Sequence, residues 1–154
     1  MTSARASENR HALITGASAG IGHALAHVFA RQGFDLVLTA RRADRLNALK
    51  MELESKYHIR AHALPADLSN PNAPGDIAAE LARKKIHIDC LVNNAGYNKR
   101  GAVPETSLQE KNDLLQVMAI SPYVLTHFFP CNASTKVRLG IECCFGRRFV
   151  AWRG

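Results

Sequence analysis

A glycine-rich turn near the start of the chain is the first feature that could do chemistry. The sequence TGASAGIG (residues 15–22) follows a short apolar run and opens a helical pattern. Small side chains let backbone N–H groups approach a pyrophosphate, which the positive end of the following helix attracts. The turn therefore predicts a dinucleotide site. The alternative is that the small residues serve only close packing of the helix on the strand.

Arginines follow the second apolar run, about twenty residues after the glycines. The chain reads TARR over residues 39–42, with Arg45 one helical turn later. A site for NAD(H) would place an acid here to bind the ribose 2′-hydroxyl, whereas a guanidinium attracts a 2′-phosphate. Arg41 therefore favours NADP(H) over NAD(H). The alternative is that Arg41 and Arg42 form a solvated first helical turn.

These residues need elements that position them. Short apolar runs alternate with helical patterns from residue 11 to about 128, which is typical of βαβ units around a parallel sheet. We predict strands over residues 12–15, 35–39, 61–64 and 88–92, and helices over about 21–32, 43–57, 75–84 and 108–128. The second helix would bury Leu46, Leu49 and Leu53, and the last would carry Leu114, Leu115, Val117 and Met118 on apolar faces. Pro122 predicts a kink or break in that last helix.

Two further motifs complete a family pattern. Asp67-Leu68 follows the third predicted strand, and NNAG (residues 93–96) follows the fourth. Together with TGxxxGxG and the basic pair, in this order and spacing, they resemble the classical short-chain dehydrogenase/reductase (SDR) family over residues 11 to about 130. The resemblance implies an α/β fold, a Rossmann-type doubly wound parallel sheet with strand order 3-2-1-4, here truncated after the fourth strand.

The resemblance also implies which residues hold the cofactor. They are Gly16, Ser18, Ile21, Gly22, Arg41, Asp67, Leu68, Asn93, Ala95 and Gly96. The first four would line the pyrophosphate, and Arg41 would meet the 2′-phosphate. Asp67 would hydrogen-bond the adenine amino group with Leu68 beside the ring, and the last three would lie along the adenosine ribose and stabilise the sheet centre. The implied activity is hydride transfer between NADP(H) and a carbonyl or alcohol substrate.

The acid–base residues of the resembled family are missing from this chain. That family uses a Tyr with a Lys four residues later, a Ser, and an Asn in the last helix. No Tyr of this chain has a Lys four residues later, and Met118 stands at the position of the Asn. Ser121 and Ser134 do not fall at the required strand end. We therefore assign no catalytic residue and predict an inactive NADP(H)-binding fragment, with an inert product as the alternative.

Residues 131–154 differ in composition from the rest of the chain. They hold three of the four cysteines, the only Trp, and five Lys or Arg against one acid. A one-base shift in reading frame from Pro130 permits PAMLARRFGWVLNVASVAG, which resembles the family's next turn and strand. We predict a flexible segment over 1–10, a partial NADP-binding domain over 11–130 and an out-of-frame tail over 131–154. The alternative is a genuine C-terminus with its own role.

Composition and charge set the remaining expectations. The 154 residues are 47% apolar and 21% charged, and the net charge of +7 favours an anionic partner such as a nucleotide. The absence of a long apolar run or signal pattern predicts a cytoplasmic protein that does not bind membranes. No nucleic-acid-binding motif is present. His23 and His27 lie four apart but lack a third metal ligand at suitable spacing. A homo-oligomer is an open alternative.

Overall fold

The computed structural model describes residues 10–98 and 107–130. Most of the predicted flexible segment (1–10) and all of the predicted out-of-frame tail (131–154) therefore lie outside the described residues. Within the described residues, the chain forms a parallel sheet with helices packed on both of its faces. None of these helices is long and apolar enough to cross a membrane.

The sheet has four parallel strands in the predicted order. They are β1 (His11–Thr15), β2 (Asp35–Thr39), β3 (Ala61–Ala63) and β4 (Cys90–Val92), arranged β3-β2-β1-β4. Every residue of β2 is buried, as expected for a central strand covered by helices on both sides. Thr15 pairs in register with Thr39, so the carboxyl ends of β1 and β2 stop at the same level.

Side chains that alternate along β1 build a core on each face of the sheet. Ile14 belongs to the core formed with α1 (Gly20–Arg31) and α2 (Ala43–Tyr57). Leu13 belongs to the opposite core, to which α3 (Ala73–Arg83) contributes. The predicted stripe of Leu46, Leu49 and Leu53 is confirmed, since all three side chains of α2 are buried.

The last predicted helix is interrupted, as Pro122 indicated. It consists of α4 (Leu108–Leu115), a π-helical turn (Gln116–Ile120) and α5 (Ser121–Phe128). Proline has no N–H to donate to the carbonyl four residues earlier, and the chain accommodates this with the wider turn, in which Ser121 N–H donates to the carbonyl of Gln116.

The apolar faces predicted for this region are partly wrong. Val117 is buried, but Leu115 and Met118 are 59% and 56% exposed. A π-helical turn adds a residue and rotates the faces that follow it, so the regular helical period used for the prediction does not continue across residues 116–120. Met118 consequently lies beside the loop after β4, where a Cβ added to Gly96 would be 3.8 Å from its Cε.

Candidate cofactor site

A cleft of about 630 Å³ opens at the carboxyl ends of the strands. This is where ligands bind in open parallel α/β sheets. Seven of the ten predicted residues line it: Gly16, Ser18, Arg41, Asp67, Leu68, Ala95 and Gly96. Eight lining residues were not among the ten: Ala19, Ala40, Arg42, Ala66, Ser69, Tyr97, Asp113 and Val117. They lie beside the motifs or in the helix after residue 107. That helix contains no motif that would have predicted a binding role.

The N-terminus of α1 borders one end of the cleft. Its N-cap residue, Ala19, is extended and gives no side-chain acceptor to the first turn, and that turn contains no acidic residue. The first N–H groups of a helix have no partner within the helix, and the helix dipole is positive there. This end of the cleft therefore fits an anionic group such as a pyrophosphate. Ile21 does not line the cleft and is 73% exposed.

Two of the glycines are required by packing. Gly16 has φ +68°, and a Cβ added there would lie 2.9 Å from the Cα of Ala95. A Cβ on Gly22 would lie 2.4 Å from the carbonyl oxygen of Gly16 and 2.5 Å from Nδ2 of Asn94. Gly22 therefore brings α1 against the loop after β4 and does not line the cleft. Gly16 does both, because it packs against Ala95 and also lines the cleft.

The hydroxyl of Thr15 holds the loop after β4 against the end of β1. It accepts hydrogen bonds from the N–H groups of Asn94 and Ala95, both at 2.9 Å, and it donates to the carbonyl of Val92 at 3.3 Å. The Asn94 side chain donates in turn to the carbonyl of Thr15 at 3.0 Å. Sequence analysis missed both residues as site-forming groups. The only sign of their role in the sequence is that each is a polar residue at a strand end, beside a glycine motif.

Asn93 faces away from the cleft, although it was predicted to lie along the ribose. Its Nδ2 donates to Oγ1 of Thr126 at 3.2 Å and to the carbonyl of Pro122 at 3.4 Å. Asn93 thus fastens the loop after β4 to α5. Both parts of its predicted role, the ribose contact and the stabilisation of the sheet centre, stay predictions.

A second buried contact supports the part of the cleft that Asp67 and Leu68 line. Ser121 is fully buried, donates to the carbonyl of Leu68 at 2.8 Å and accepts from Nε2 of Gln116 at 3.2 Å. Beside Leu68, the Asp67 carboxylate accepts from both the N–H and the hydroxyl of Ser69, at 3.0 and 2.9 Å. These contacts fix the turn after β3 that carries both predicted adenine residues.

The two arginines lie just after β2, on the wall of the cleft next to the turn after β3. Both are exposed, and both line the cleft. Nη2 of Arg42 donates to Oγ of Ser18 at 3.1 Å, which links this wall to the glycine-rich turn. Arg41 and Arg42 thus both line the cleft next to the turn, and the role at a 2′-phosphate that the sequence gave to Arg41 stays a prediction.

Among the described residues, no Tyr–Lys pair lines the cleft. Tyr97 is the only Tyr among its lining residues in the described part of the chain, and no Lys lines the cleft there. Position 101, four residues beyond Tyr97, is glycine in the sequence. The described lining therefore contains no Tyr–Lys pair of the kind that could deliver a proton to a carbonyl oxygen.

Comparison with known proteins agrees with this geometry. Dehydrogenase/reductase SDR family member 7B from Bos taurus is 34% identical over 123 residues, covering 77% of this chain and 38% of that protein. The short-chain dehydrogenase from Sphingobium yanoikuyae in complex with NADPH superimposes with a TM-score of 0.72 at 35% identity, covering 78% of this chain and 46% of the other. L-sorbose reductase from Gluconobacter frateurii, complexed with NADPH and L-sorbose, gives 0.74 at 28% identity, with 79% and 46% covered.

The chain spans less than half the length of each of these three proteins. The family model described as short chain dehydrogenase matches residues 10–131, which includes every motif on which the resemblance was based. The chain therefore belongs to the short-chain dehydrogenase family of oxidoreductases.

Proposed function

We propose that residues 10–130 bind NADP(H), with NADPH preferred over NADH, and that this chain does not by itself complete hydride transfer. The observation that carries the proposal is one cleft with an uncapped helix N-terminus at one end and two arginines beside it. Two solved relatives that share this fold hold NADPH. Bound NADPH supplies a hydride, and this chain's own residues bind and orient the nucleotide.

Each wall of the cleft has a separate task in this proposal. The free N–H groups that follow Ala19 would bind the pyrophosphate, and the guanidinium groups of Arg41 and Arg42 would bind the 2′-phosphate. Asp67 would accept a hydrogen bond from the adenine amino group, since a carboxylate oxygen is an acceptor only. The loop held by Thr15 would support the ribose. An acid in place of the arginines would reverse the preference between NADPH and NADH.

Calorimetric titration of the full chain with NADPH and NADH at about 0.15 M salt tests the cofactor preference. Hydrogen bonds to a charged group contribute about 1.5–3 kcal/mol. We therefore expect Arg41→Glu and Arg42→Glu each to weaken NADPH binding roughly tenfold or more, and NADH binding by less than about threefold. Arg45→Glu makes the same charge change three residues later and outside the lining, so it is the matched control. Equal losses for both nucleotides in all three variants would refute the preference.

Turnover is measured separately from binding. We propose that carbonyl or alcohol substrates are turned over only by a form of the protein that carries a Tyr with a Lys four residues later, and this chain has none. NADPH absorbance should therefore stay at the blank rate with aldehydes and ketones under conditions in which NADPH is bound. Turnover above the blank with any of them would refute this part of the proposal and leave the binding part standing.

We also propose that residues 131–154 are read out of frame. The family match ends at residue 131, where cysteines and basic residues become frequent. Resequencing the coding DNA from Phe128 through Gly154 and beyond tests this. We expect a one-base shift to restore NVAS followed by a Tyr and a Lys four residues later. A frame that holds through Gly154 would refute the proposal and make the tail native.

A further inference from the structure

A histidine pair and a carboxylate meet outside the cofactor cleft, on the outer surface formed by α1 and α2. His23 and His27 lie four residues apart on α1, and Glu52 comes from α2. One nitrogen of each ring and one oxygen of the carboxylate all lie within 4.8 Å of one another. Spacing along the sequence had offered no third ligand, because Glu52 reaches the pair only through the packing of α2 on α1.

We propose that His23, His27 and Glu52 form a site for Zn²⁺ or a similar borderline divalent cation. Two histidines four apart on one helix present their rings on the same face, and two His with one Glu is a donor set that Zn²⁺ uses while keeping a further position open. Imidazole nitrogens select against Mg²⁺ and Ca²⁺, which prefer oxygen ligands.

The present distances are close to those of a bound site. Nε2 of His27 lies 3.5 Å from Oε1 of Glu52, and ligand atoms of a tetrahedral zinc site are about 3.3 Å apart. The His23 ring centroid lies 5.0 Å from that of His27. His23 is only half-buried and the Glu52 side chain is half exposed, so both side chains have room to rotate towards a shared ion.

The orientation of His27 is already set by a neighbour. Its Nδ1 lies 3.3 Å from the hydroxyl of Tyr57, at the end of α2. Metal-bound histidines usually hydrogen-bond through the nitrogen that does not bind the metal, and this contact fixes the ring. With Nδ1 donating to Tyr57, Nε2 would be the free ligand atom and would face Glu52. A metal bound here would join the helix that starts at the glycine-rich turn to the helix that starts after Arg42.

Cobalt titration of the chelator-treated, full-length chain tests the site, because Co²⁺ replaces Zn²⁺ and its visible absorption reports the ligands. We expect one Co²⁺ per chain without a thiolate charge-transfer band, displaced by Zn²⁺ and not by Mg²⁺. His23→Gln and Glu52→Gln should each weaken binding at least tenfold, and Tyr57→Phe should weaken it roughly tenfold through loss of the second contact. His87→Gln, a change at an exposed His far along the chain, should leave the affinity unchanged.

Three results would overturn the proposal. The first is a thiolate band, which would place Co²⁺ on cysteines. The second is an unchanged Co²⁺ affinity in His23→Gln and Glu52→Gln, and the third is an equal loss of Co²⁺ affinity in His87→Gln. His27→Gln is expected to abolish binding and is compared by circular dichroism with the parent chain. If that substitution prevents folding, Glu52→Gln and His23→Gln decide the question on their own, since the Glu52 side chain is half exposed and the His23 ring is only half-buried.

Discussion

Replacing Thr15 by valine tests whether one hydroxyl holds the loop after β4 against the end of β1. Valine keeps the shape of the side chain but removes the acceptor for two N–H groups at 2.9 Å and the donor to the Val92 carbonyl. Each buried donor left without a partner costs about 1–3 kcal/mol. Because Asn94 and Ala95 are only partly buried, we expect the variant to lose about 2–3 kcal/mol of unfolding free energy.

The neighbouring strand supplies a matched control. Thr39 pairs with Thr15 in register and is equally buried, but its hydroxyl has no hydrogen-bond partner within the described part of the chain. Burying a hydroxyl without a partner is unfavourable. Thr39→Val should therefore lower the unfolding free energy by no more than about 0.5 kcal/mol, and it can raise it by up to about 1 kcal/mol.

Urea denaturation without nucleotide measures both changes. Small domains lose about 1–3 kcal/mol of stability per molar urea, so Thr15→Val should lower the midpoint by about 1–2 M and Thr39→Val should leave it nearly constant. Equal losses in the two variants would show that replacing a buried hydroxyl by a methyl group, and not the loss of the Thr15 hydrogen bonds, determines the effect. A neutral Thr15→Val would refute the assigned role of the hydroxyl.

Three further variants probe other contacts. Gly22→Ala should lower the free energy of unfolding by about 1–3 kcal/mol, because the added Cβ meets backbone at 2.4 Å. Gly75→Ala lies in open space within α3 and should raise the free energy of unfolding by about 0.5–1 kcal/mol. Equal effects of the two variants in urea denaturation would contradict the packing argument. Ser121→Ala should cost about 1–3 kcal/mol by leaving the Leu68 carbonyl without its donor, and a neutral result would count against that support. Burial and then two nearby lysines lower the pKa of His62, so the folded state resists its protonation and stability falls as pH drops below about 6.5. His62→Gln should make the loss of stability at low pH smaller. The same pH dependence of stability in the variant and the parent chain would rule out this role of His62.

Regular patterns in the sequence predicted the elements that have regular surroundings. β2 and α2 have the predicted bounds, because β2 is a continuous apolar run that is buried throughout and α2 buries one stripe of leucines. β4 is shorter than predicted, and the residue before it explains why. Asp89 pairs with His11 through its side chain as well as its backbone, which replaces strand pairing at that point.

Contacts between distant residues could not be predicted from patterns. The hydrogen bonds of Thr15 span 77 to 80 residues along the chain. Glu52 reaches His27 only because α2 packs on α1, and the contact of Arg42 with Ser18 joins the loops after β1 and β2. Periodicity predicts which face of an element is buried, but it gives no information about which polar group of another element will lie opposite.

The position of the cleft residues supports the proposal that this chain binds the nucleotide without turnover. The seven predicted residues that line the cleft all lie between Gly16 and Gly96, in loops that follow β1 to β4. The contacts that shape these loops also lie within the described residues, from Thr15 to Ser121. The nucleotide site that we propose depends on the pairing of β4 with β1, and every group assigned to it lies within the described residues. Binding of NADPH with no turnover is therefore the combination that this arrangement predicts.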